Sequence, residues 1–264
     1  MELTNIIDIF NHAVDISRRA GDFIIREGSG ELDIDYKGRA DMVTQIDRKS
    51  EEIIVDAISG SFPEHQILGE EQTDKASKSA IKWIIDPIDG TTNFVHNHKI
   101  VAVSIGVEYK GEVIVGVVNC PFMDEIFTAI KGYGAYLNGR RIEVSKIKKM
   151  QAGLFATGFP YELNDHFYQN MKLFKSFYEN SQGVRRFGSA AIDLCYVACG
   201  RFDGFWEFDL NPWDVSAGSL ILQEAGGQLS SFSDQDFSIY GNEILATNSF
   251  LQEPMLKLIR KEIQ

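Results

Sequence analysis

Two aspartates stand three residues apart where an apolar run gives way to Gly-Thr-Thr. The segment is Trp83-Ile84-Ile85-Asp86-Pro87-Ile88-Asp89-Gly90-Thr91-Thr92-Asn93-Phe94. Its apolar start, Trp83–Ile85, predicts the end of a buried strand, so Asp86 is expected where a sheet meets a ligand crevice. Pro87 removes a backbone donor and fixes φ, which predicts a turn that brings Asp89 close to Asp86.

The residues after this turn are suited to binding an anion. Gly90 permits close backbone approach, and Thr91 or Thr92 can begin a short helix whose free N–H groups face an anion. Two carboxylates beside an anion repel it and each other, so the arrangement implies divalent cations between them. The alternative is a strand followed by a plain acidic turn, because Asp-Pro and Asp-Gly are ordinary turn dipeptides.

Acids at two distant positions can join the same crevice. A short strand at 66–68 leads into Gly69-Glu70-Glu71, and one of the two glutamates is expected to reach Asp86. Asp214 follows Asn211-Pro212-Trp213 and suits the first turn of a helix, either as a cap or as a further metal ligand. A glutamate after a glycine is usually a solvated loop residue, so a functional role for Glu70 or Glu71 is favoured only because other acids are expected nearby.

Other residue types can complete the site. Thr44-Gln45-Ile46-Asp47 matches a capping box, in which Asp47 caps a helix and can also polarise a hydroxyl. Lys37 can bring positive charge over an anionic ligand. The small residues Gly188-Ser189-Ala190-Ala191 open a helix and allow backbone approach to a ligand, and Glu207 ends a strand near a hydroxyl-rich substrate. Each has an ordinary structural explanation as well: a cap, a solvated lysine or close helix packing.

Hydrophobic periodicity divides the chain near the lysine-rich residues 146–151 into two halves that pack as one compact unit. The half 1–150 is expected to be α+β with a large antiparallel sheet, and the half 151–264 has an α/β rhythm. Helices are expected at 4–27, from the capping box at Thr44 to about 60, and at 165–178, 189–199, 214–225 and 250–263. Besides the strands around the site, strands are expected at 100–109, 112–119, 125–130, 134–137, 140–145, 155–159, 184–186, 202–207 and 244–246.

Composition and charge limit the classes of function. The chain has 264 residues, of which 44% are hydrophobic and 24% charged, which is ordinary for a globular enzyme. A net charge of −12 disfavours binding to nucleic acid or to an anionic membrane. No apolar run approaches the roughly 20 residues that span a bilayer. The three cysteines form no CxxC pair, and the start of the chain has no basic leader, so a reduced, cytoplasmic setting is expected.

Together these motifs resemble the inositol monophosphatase family of magnesium-dependent, lithium-sensitive phosphatases. The resemblance rests first on Glu70-Glu71, on Asp86-Pro87-Ile88-Asp89-Gly90-Thr91 and on Trp213-Asp214-Val215-Ser216-Ala217-Gly218. It extends to Val43-Thr44 with Asp47, to Asn138-Gly139-Arg140 and to Gly188-Ser189-Ala190-Ala191-Ile192-Asp193. The resemblance implies a layered α/β/α/β/α sandwich that is usually a homodimer.

The resemblance also implies the roles of the site residues. It implies two or three Mg²⁺ ions held by Glu70, Asp86, Asp89, Asp214 and the carbonyl of Ile88. It implies that Asp47 and Thr91 orient and deprotonate a water, which is activated beside Glu70. The residues expected to contact the substrate are Lys37, Asp89, Gly90, Thr91, Gly188, Ser189, Ala190, Glu207 and Asp214. Lys37 is included because of its charge alone.

The expected reaction is hydrolysis of inositol monophosphate, or a related sugar or polyol phosphate, by in-line attack of a metal-activated water. NADP 2′-phosphate and fructose 1,6-bisphosphate are alternative substrates, and Gly158-Phe159-Pro160-Tyr161 is similar to bacterial members, which weakens the case for inositol. Phosphatases with a nucleophilic aspartate carry Asp-Xaa-Asp-Gly-Thr, but Asp86 and Asp89 are one residue too far apart for that mechanism. The non-enzymatic alternative is a regulatory partner of a transcription complex that retains the fold.

Overall fold

The computed structural model describes residues 3–28, 30, 32–38 and 41–263. The helices are α1 (Leu3–Glu27), α2 (Gln45–Ser61), α3 (Thr91–Val95), α4 (Asp165–Glu179), α5 (Ala190–Ala198), α6 (Pro212–Glu224) and α7 (Gln252–Ile263). The strands are β1 (Ile34–Tyr36), β2 (Met42–Thr44), β3 (Gln66–Gly69), β4 (Asp74–Lys75), β5 (Ile81–Asp89), β6 (Ala102–Tyr109), β7 (Glu112–Cys120), β8 (Glu125–Ile130), β9 (Gly134–Leu137), β10 (Arg140–Arg141), β11 (Leu154–Thr157), β12 (Gly183–Arg185), β13 (Gly204–Phe208), β14 (Gln228–Ser230) and β15 (Glu243–Thr247).

Two sheets organise the described chain. An eight-stranded sheet has the order β10-β9-β8-β7-β6-β5-β3-β4 and is antiparallel except for the parallel pair β3 and β5. A five-stranded sheet has the order β12-β11-β13-β15-β14, in which β11 runs parallel to both of its neighbours and the other pairs are antiparallel. Strands β1 and β2 form a separate hairpin. The chain passes from the large sheet to the small one between Arg141 and Leu154, on either side of the expected boundary.

Apolar faces stack these elements into five layers, as the α/β/α/β/α sandwich requires. Helices α1 and α2 bury one face, with Ile16 and Ile54, against the large sheet at Trp83. Helices α5 and α6 lie between the two sheets, and α4 and α7 cover the outer face of the small sheet. In the described part of the chain, no helix has both the length and the apolar character needed to cross a membrane.

Helix α6 packs unusually close to the large sheet, and this contact places Asp214 over the sheet. A Cβ added at Gly116 on β7 would lie 2.6 Å from the backbone oxygen of Ala217. Glycine therefore lets the first turns of α6 touch the strand directly. The hydroxyl of Ser104 on β6 also donates to the carbonyl oxygen of Trp213 at 3.3 Å.

The prediction that the central strand ends at Asp86 and turns at Pro87 was wrong. Strand β5 runs through Pro87 to Asp89, and its register against β6 shifts between Asp86 and Asp89. Proline cannot donate a ladder hydrogen bond, and an irregularity in the strand accommodates it without ending the pairing. The irregularity, rather than a turn, presents the two carboxylates.

Other differences concern short elements. The expected strand 140–145 was too long, because only Arg140–Arg141 pairs with β9. The polar stretch around Lys37 forms the β1–β2 hairpin, and β4 and β14 were not expected. Strands of two or three residues carry too little periodicity to be read from sequence.

Candidate active site

A cleft of about 430 Å³ opens where the end of β5 meets the starts of α3, α5 and α6. Nearly all of the expected site residues line it: Lys37, Glu70, Asp86, Ile88, Asp89, Gly90, Thr91, Gly188, Ser189, Ala190, Glu207 and Asp214. The remaining one, Asp47, lies directly behind Thr91. Residues from seven separate parts of the chain are thus brought to one place.

The acids of the cleft are buried close enough together to affect one another's charge. Asp86 is 2% exposed, and its Oδ1 accepts a hydrogen bond from the backbone of Ile88 at 2.9 Å. Burial, followed by the charges of Glu70, Asp89 and Asp214, raises the pKa of Asp86 well above its ordinary value. Carboxylates in this situation require a compensating positive charge to stay ionised.

Burial is also the main cause that raises the pKa of each of the other three acids. The pKa of Asp89 rises to about 6, although the Ser189 hydroxyl and the Ala191 amide each donate to its Oδ2 at 2.7 Å and oppose the rise. For Asp214 the charge of Asp89 adds to burial. Asp214 Oδ2 accepts from the backbone of Asn211 at 2.7 Å, as the N-terminal capping box of α6 requires. Ser189 was expected to contact the substrate, but its hydroxyl orients the carboxylate of Asp89 here.

Lys37 provides positive charge next to these acids. Its Nζ donates to Glu70 Oε1 at 3.1 Å and to Glu71 Oε1 at 2.7 Å. Burial lowers the pKa of Lys37, but the two glutamates outweigh it and hold the pKa above its ordinary value. Glu70 lines the cleft whereas Glu71 is not among the lining residues, which settles which of the two glutamates faces Asp86.

Thr91 and Asp47 form a hydrogen-bonded pair at the wall of the cleft. The Thr91 hydroxyl donates to Asp47 Oδ1 at 2.7 Å and lies 3.1 Å from the Ile88 carbonyl oxygen. Asp47 Oδ2 accepts from the backbone and the hydroxyl of Thr44, so the capping box that begins α2 also fixes this carboxylate. Burial raises the pKa of Asp47, which makes it a stronger base, although the hydrogen bonds from Thr44 and Thr91 oppose that rise.

The donor set fits a hard divalent cation such as Mg²⁺. Every candidate ligand is a carboxylate or carbonyl oxygen, and the acids of the cleft exceed its cations. Glu70, Asp86 and the Ile88 carbonyl would hold one ion, and Asp86, Asp89 and Asp214 would hold another. In the described residues, no three His, Cys, Asp or Glu side chains already surround a common point.

Three residues at the site were missed. Glu51 on α2 is 3% exposed and accepts from the backbones of Glu71 and Gln72 and from the Thr73 hydroxyl, at 2.8 to 2.9 Å. It thereby holds the turn that presents Glu70. The side-chain amide of Asn93 donates to the carbonyl oxygens of Ile100 and Phe187 and ties α3 to the segment before Gly188. Arg186 lines the same cleft.

The missed residues carry no local signal. An acid inside a helix, an asparagine in a short helix and an arginine in a loop are ordinary surface residues in sequence. Asp193, which the resemblance included without a role, is likewise found in the cleft only once α5 is packed.

Comparison with known proteins places these features in a family. The model of the inositol monophosphatase family matches residues 7–264. The chain is 41% identical over 257 residues to the "Putative Nus factor SuhB" of Neisseria meningitidis serogroup B, covering 96% of this chain and 98% of that one.

Solved structures agree. The extragenic suppressor protein suhB of Bartonella henselae superposes with a TM-score of 0.93 at 36% identity, over 97% of this chain and 100% of the other. The inositol monophosphatase of Anabaena sp. PCC 7120 gives a TM-score of 0.88 at 36% identity, over 98% and 97% of the two chains. This chain belongs to the inositol monophosphatase family.

Proposed function

We propose that this chain is a Mg²⁺-dependent phosphomonoesterase that hydrolyses inositol monophosphate or a related small sugar or polyol phosphate. The observation that carries the proposal is the Thr91–Asp47 hydrogen bond at the wall of a cleft that also holds Glu70, Asp86 and Asp214. A proton acceptor beside a cluster of buried oxygen ligands is what metal-assisted hydrolysis of a phosphate ester needs. Membership of the family supports phosphatase chemistry.

We assign two or three Mg²⁺ ions to Glu70, Asp86, Asp89, Asp214 and the Ile88 carbonyl. When bound, the ions would lower the pKa of a water and neutralise charge on the phosphate. The high negative charge of the cleft is the reason to expect them, because an anionic substrate would otherwise be repelled. Lys37 adds one positive charge at the side of Glu70.

The residues of this chain guide the proton. Thr91 accepts a proton from the attacking water while its own hydroxyl proton passes to Asp47 Oδ1, 2.7 Å away. The water oxygen forms a bond to phosphorus as the bond from phosphorus to the alcohol oxygen breaks, and the departing alkoxide takes a proton from solvent. No covalent intermediate forms. Inversion at a chiral phosphate is expected, and an aspartyl-phosphate trapped on Asp86 would instead support the nucleophilic-aspartate mechanism.

The substrate is oriented by backbone groups and by one carboxyl group. Gly90 has a φ of +100°, and a Cβ there would lie 2.9 Å from the oxygen of Ile100 and 3.1 Å from that of Gly188. Only glycine fits this approach, which leaves the Gly90–Thr91 backbone for the phosphate. The Gly188–Ala190 backbone and Glu207 are assigned to the alcohol part.

A phosphate-release screen tests the function. Purified protein is given inositol 1-phosphate, glycerol 2-phosphate, fructose 1,6-bisphosphate and NADP, each with and without Mg²⁺. We expect Mg²⁺-dependent release from the polyol phosphates, loss of release in Asp86→Asn, and retention in the exposed control Asp56→Asn. Absence of release from every substrate by the folded wild-type protein would reject the proposal.

A second candidate function is a regulatory one, which the names of relatives favour. The Neisseria meningitidis relative is called a putative Nus factor. In this case the chain acts as a partner of a transcription complex and does not need catalysis. Complementation of a strain that lacks the gene separates the two functions. If the folded Asp86→Asn variant restores the wild-type phenotype, the regulatory role is supported. If it does not, the enzymatic function is supported.

We propose a homodimer in the cytoplasm that binds neither nucleic acid nor membrane. Sedimentation of the purified protein measures its mass in solution, and fractionation of cells measures where it resides.

A further inference from the structure

Asp193 is a buried acid of the cleft that the proposed mechanism does not use. It lies one turn into α5, is 1% exposed and lines the cleft together with Arg186 and Glu207. Its Oδ1 accepts no hydrogen bond from any residue that the structure describes. Buried polar atoms are nearly always hydrogen-bonded, so an exception that borders a ligand cleft calls for an explanation.

The groups at this end of the cleft favour a ligand that carries hydroxyl groups. Asp193, Glu207 and Arg186 lie close enough to influence one another's charge. Arg186 itself lies against Gly188, where an added Cβ would be 2.2 Å from its Nη1. A hydroxyl group both donates and accepts hydrogen bonds, so it can pair with a carboxyl group in either protonation state.

We propose that Asp193 determines specificity: its carboxyl group forms a hydrogen bond with one hydroxyl of the substrate while Glu207 bonds to another. The substrate class that satisfies both acids is a polyol phosphate with at least two hydroxyl groups remote from the phosphate. A phosphate ester of a simple alcohol offers neither carboxyl group a hydroxyl partner. Among the candidates above, inositol phosphates satisfy this condition.

This inference rests on the proposed phosphatase function and deepens it. A site built to accept a substrate hydroxyl discriminates strongly against analogues without it, because the buried acceptor stays unpaired. If Asp193 had a purely structural role, its substitution would lower kcat/KM for all substrates alike. The ratio of kcat/KM for inositol 1-phosphate to that for p-nitrophenyl phosphate therefore isolates the role of Asp193.

The test uses Asp193→Ala, Asp193→Asn and a control on the same helix, Cys195→Ala, whose side chain is buried away from the cleft. We expect Asp193→Ala to lower the ratio by roughly 10-fold, since the hydrogen bond to the substrate hydroxyl is lost. Asp193→Asn keeps an acceptor and should recover part of the ratio. Cys195→Ala should leave the ratio at the wild-type value.

Thermal unfolding separates the binding role from a structural one. An unpartnered buried acid destabilises the fold, so Asp193→Asn should raise the Tm of the metal-free protein. A lower Tm together with equal losses on both substrates would overturn the inference and leave the phosphatase function standing. If the wild-type protein releases phosphate from neither compound, the proposed function fails and the assignment of Asp193 falls with it.

Discussion

The Thr91 hydroxyl donates to Asp47 Oδ1 over 2.7 Å and so joins the starts of two helices whose residues lie 44 positions apart. The other oxygen of Asp47 closes the capping box with Thr44. One carboxylate thus begins α2 and holds the proposed proton acceptor of the cleft. The proposed proton transfer and the start of α2 both depend on Asp47, so substitutions at either end of the hydrogen bond test different consequences.

Removal of the Thr91 hydroxyl should impair the reaction more than the fold. Thr91→Val keeps the shape of the side chain but abolishes proton transfer, so we expect kcat to fall by about 10²–10⁴-fold with little change in KM. The loss of one hydrogen bond should cost about 1 kcal/mol of unfolding free energy. Kinetics of phosphate release and chemical denaturation measure both. Thr92→Val, at a neighbour outside the cleft lining, is the control; an equal loss of kcat there would contradict the assignment.

Glu51 should act through Glu70 without touching the substrate. Glu51→Gln replaces one acceptor oxygen with an amide that faces the donors of Glu71, Gln72 and Thr73, and we expect a destabilisation of about 1–3 kcal/mol. Because the turn that carries Glu70 loosens, a higher Mg²⁺ concentration should be needed for half-maximal activity.

The neighbour Glu52 provides the matched control for this test, since its side chain is exposed. Glu52→Gln should change the unfolding free energy by less than about 0.5 kcal/mol. It should leave the Mg²⁺ concentration for half-maximal activity unchanged. If Glu51→Gln binds Mg²⁺ as tightly as the wild-type protein, the positioning role is wrong.

Glu207 should make the metal-free protein less stable as pH rises. Burial raises its pKa from an ordinary 4.5 to about 8, so between these values the folded protein holds a proton that the unfolded chain has released. Stability falls with pH wherever the folded state binds more protons than the unfolded state. Glu207→Gln removes this contribution, and the slope of unfolding free energy against pH should become flatter over pH 4.5–8. An unchanged slope would show that Glu207 is not the group responsible.

Gly90 should tolerate no side chain. Gly90→Ala forces a Cβ into a backbone of φ +100° and to within 2.9 Å of the Ile100 oxygen, so we expect a destabilisation of about 1–3 kcal/mol and a loss of phosphate binding. Gly60→Ala is the opposite control, because a Cβ there meets nothing within 4 Å inside α2. It should stabilise the protein by about 0.5–1 kcal/mol. Thermal unfolding of both variants measures the contrast.

Local chemistry in the sequence was sufficient to predict most helices and the principal strands. The apolar period of α1, the capping box at Thr44 and Asp47 and the alternation of β6 and β7 depend on neighbours within a few residues. Glu70, Asp86, Asp89 and Asp214 were also found from sequence, because each stands at the end or beginning of a predicted element. Their joint position followed from the resemblance and from the rule that ligands bind at strand ends.

Only the tertiary structure decided how those residues contact one another. The passage of β5 through Pro87 depends on its register against β6, which no local pattern encodes. Glu51 and Asp193 look like ordinary helix residues until α2 meets the turn after β3 and α5 is enclosed between two sheets. The physical reason is that periodicity and capping are set by near neighbours, whereas burial and long-range hydrogen bonds exist only after distant segments pack together.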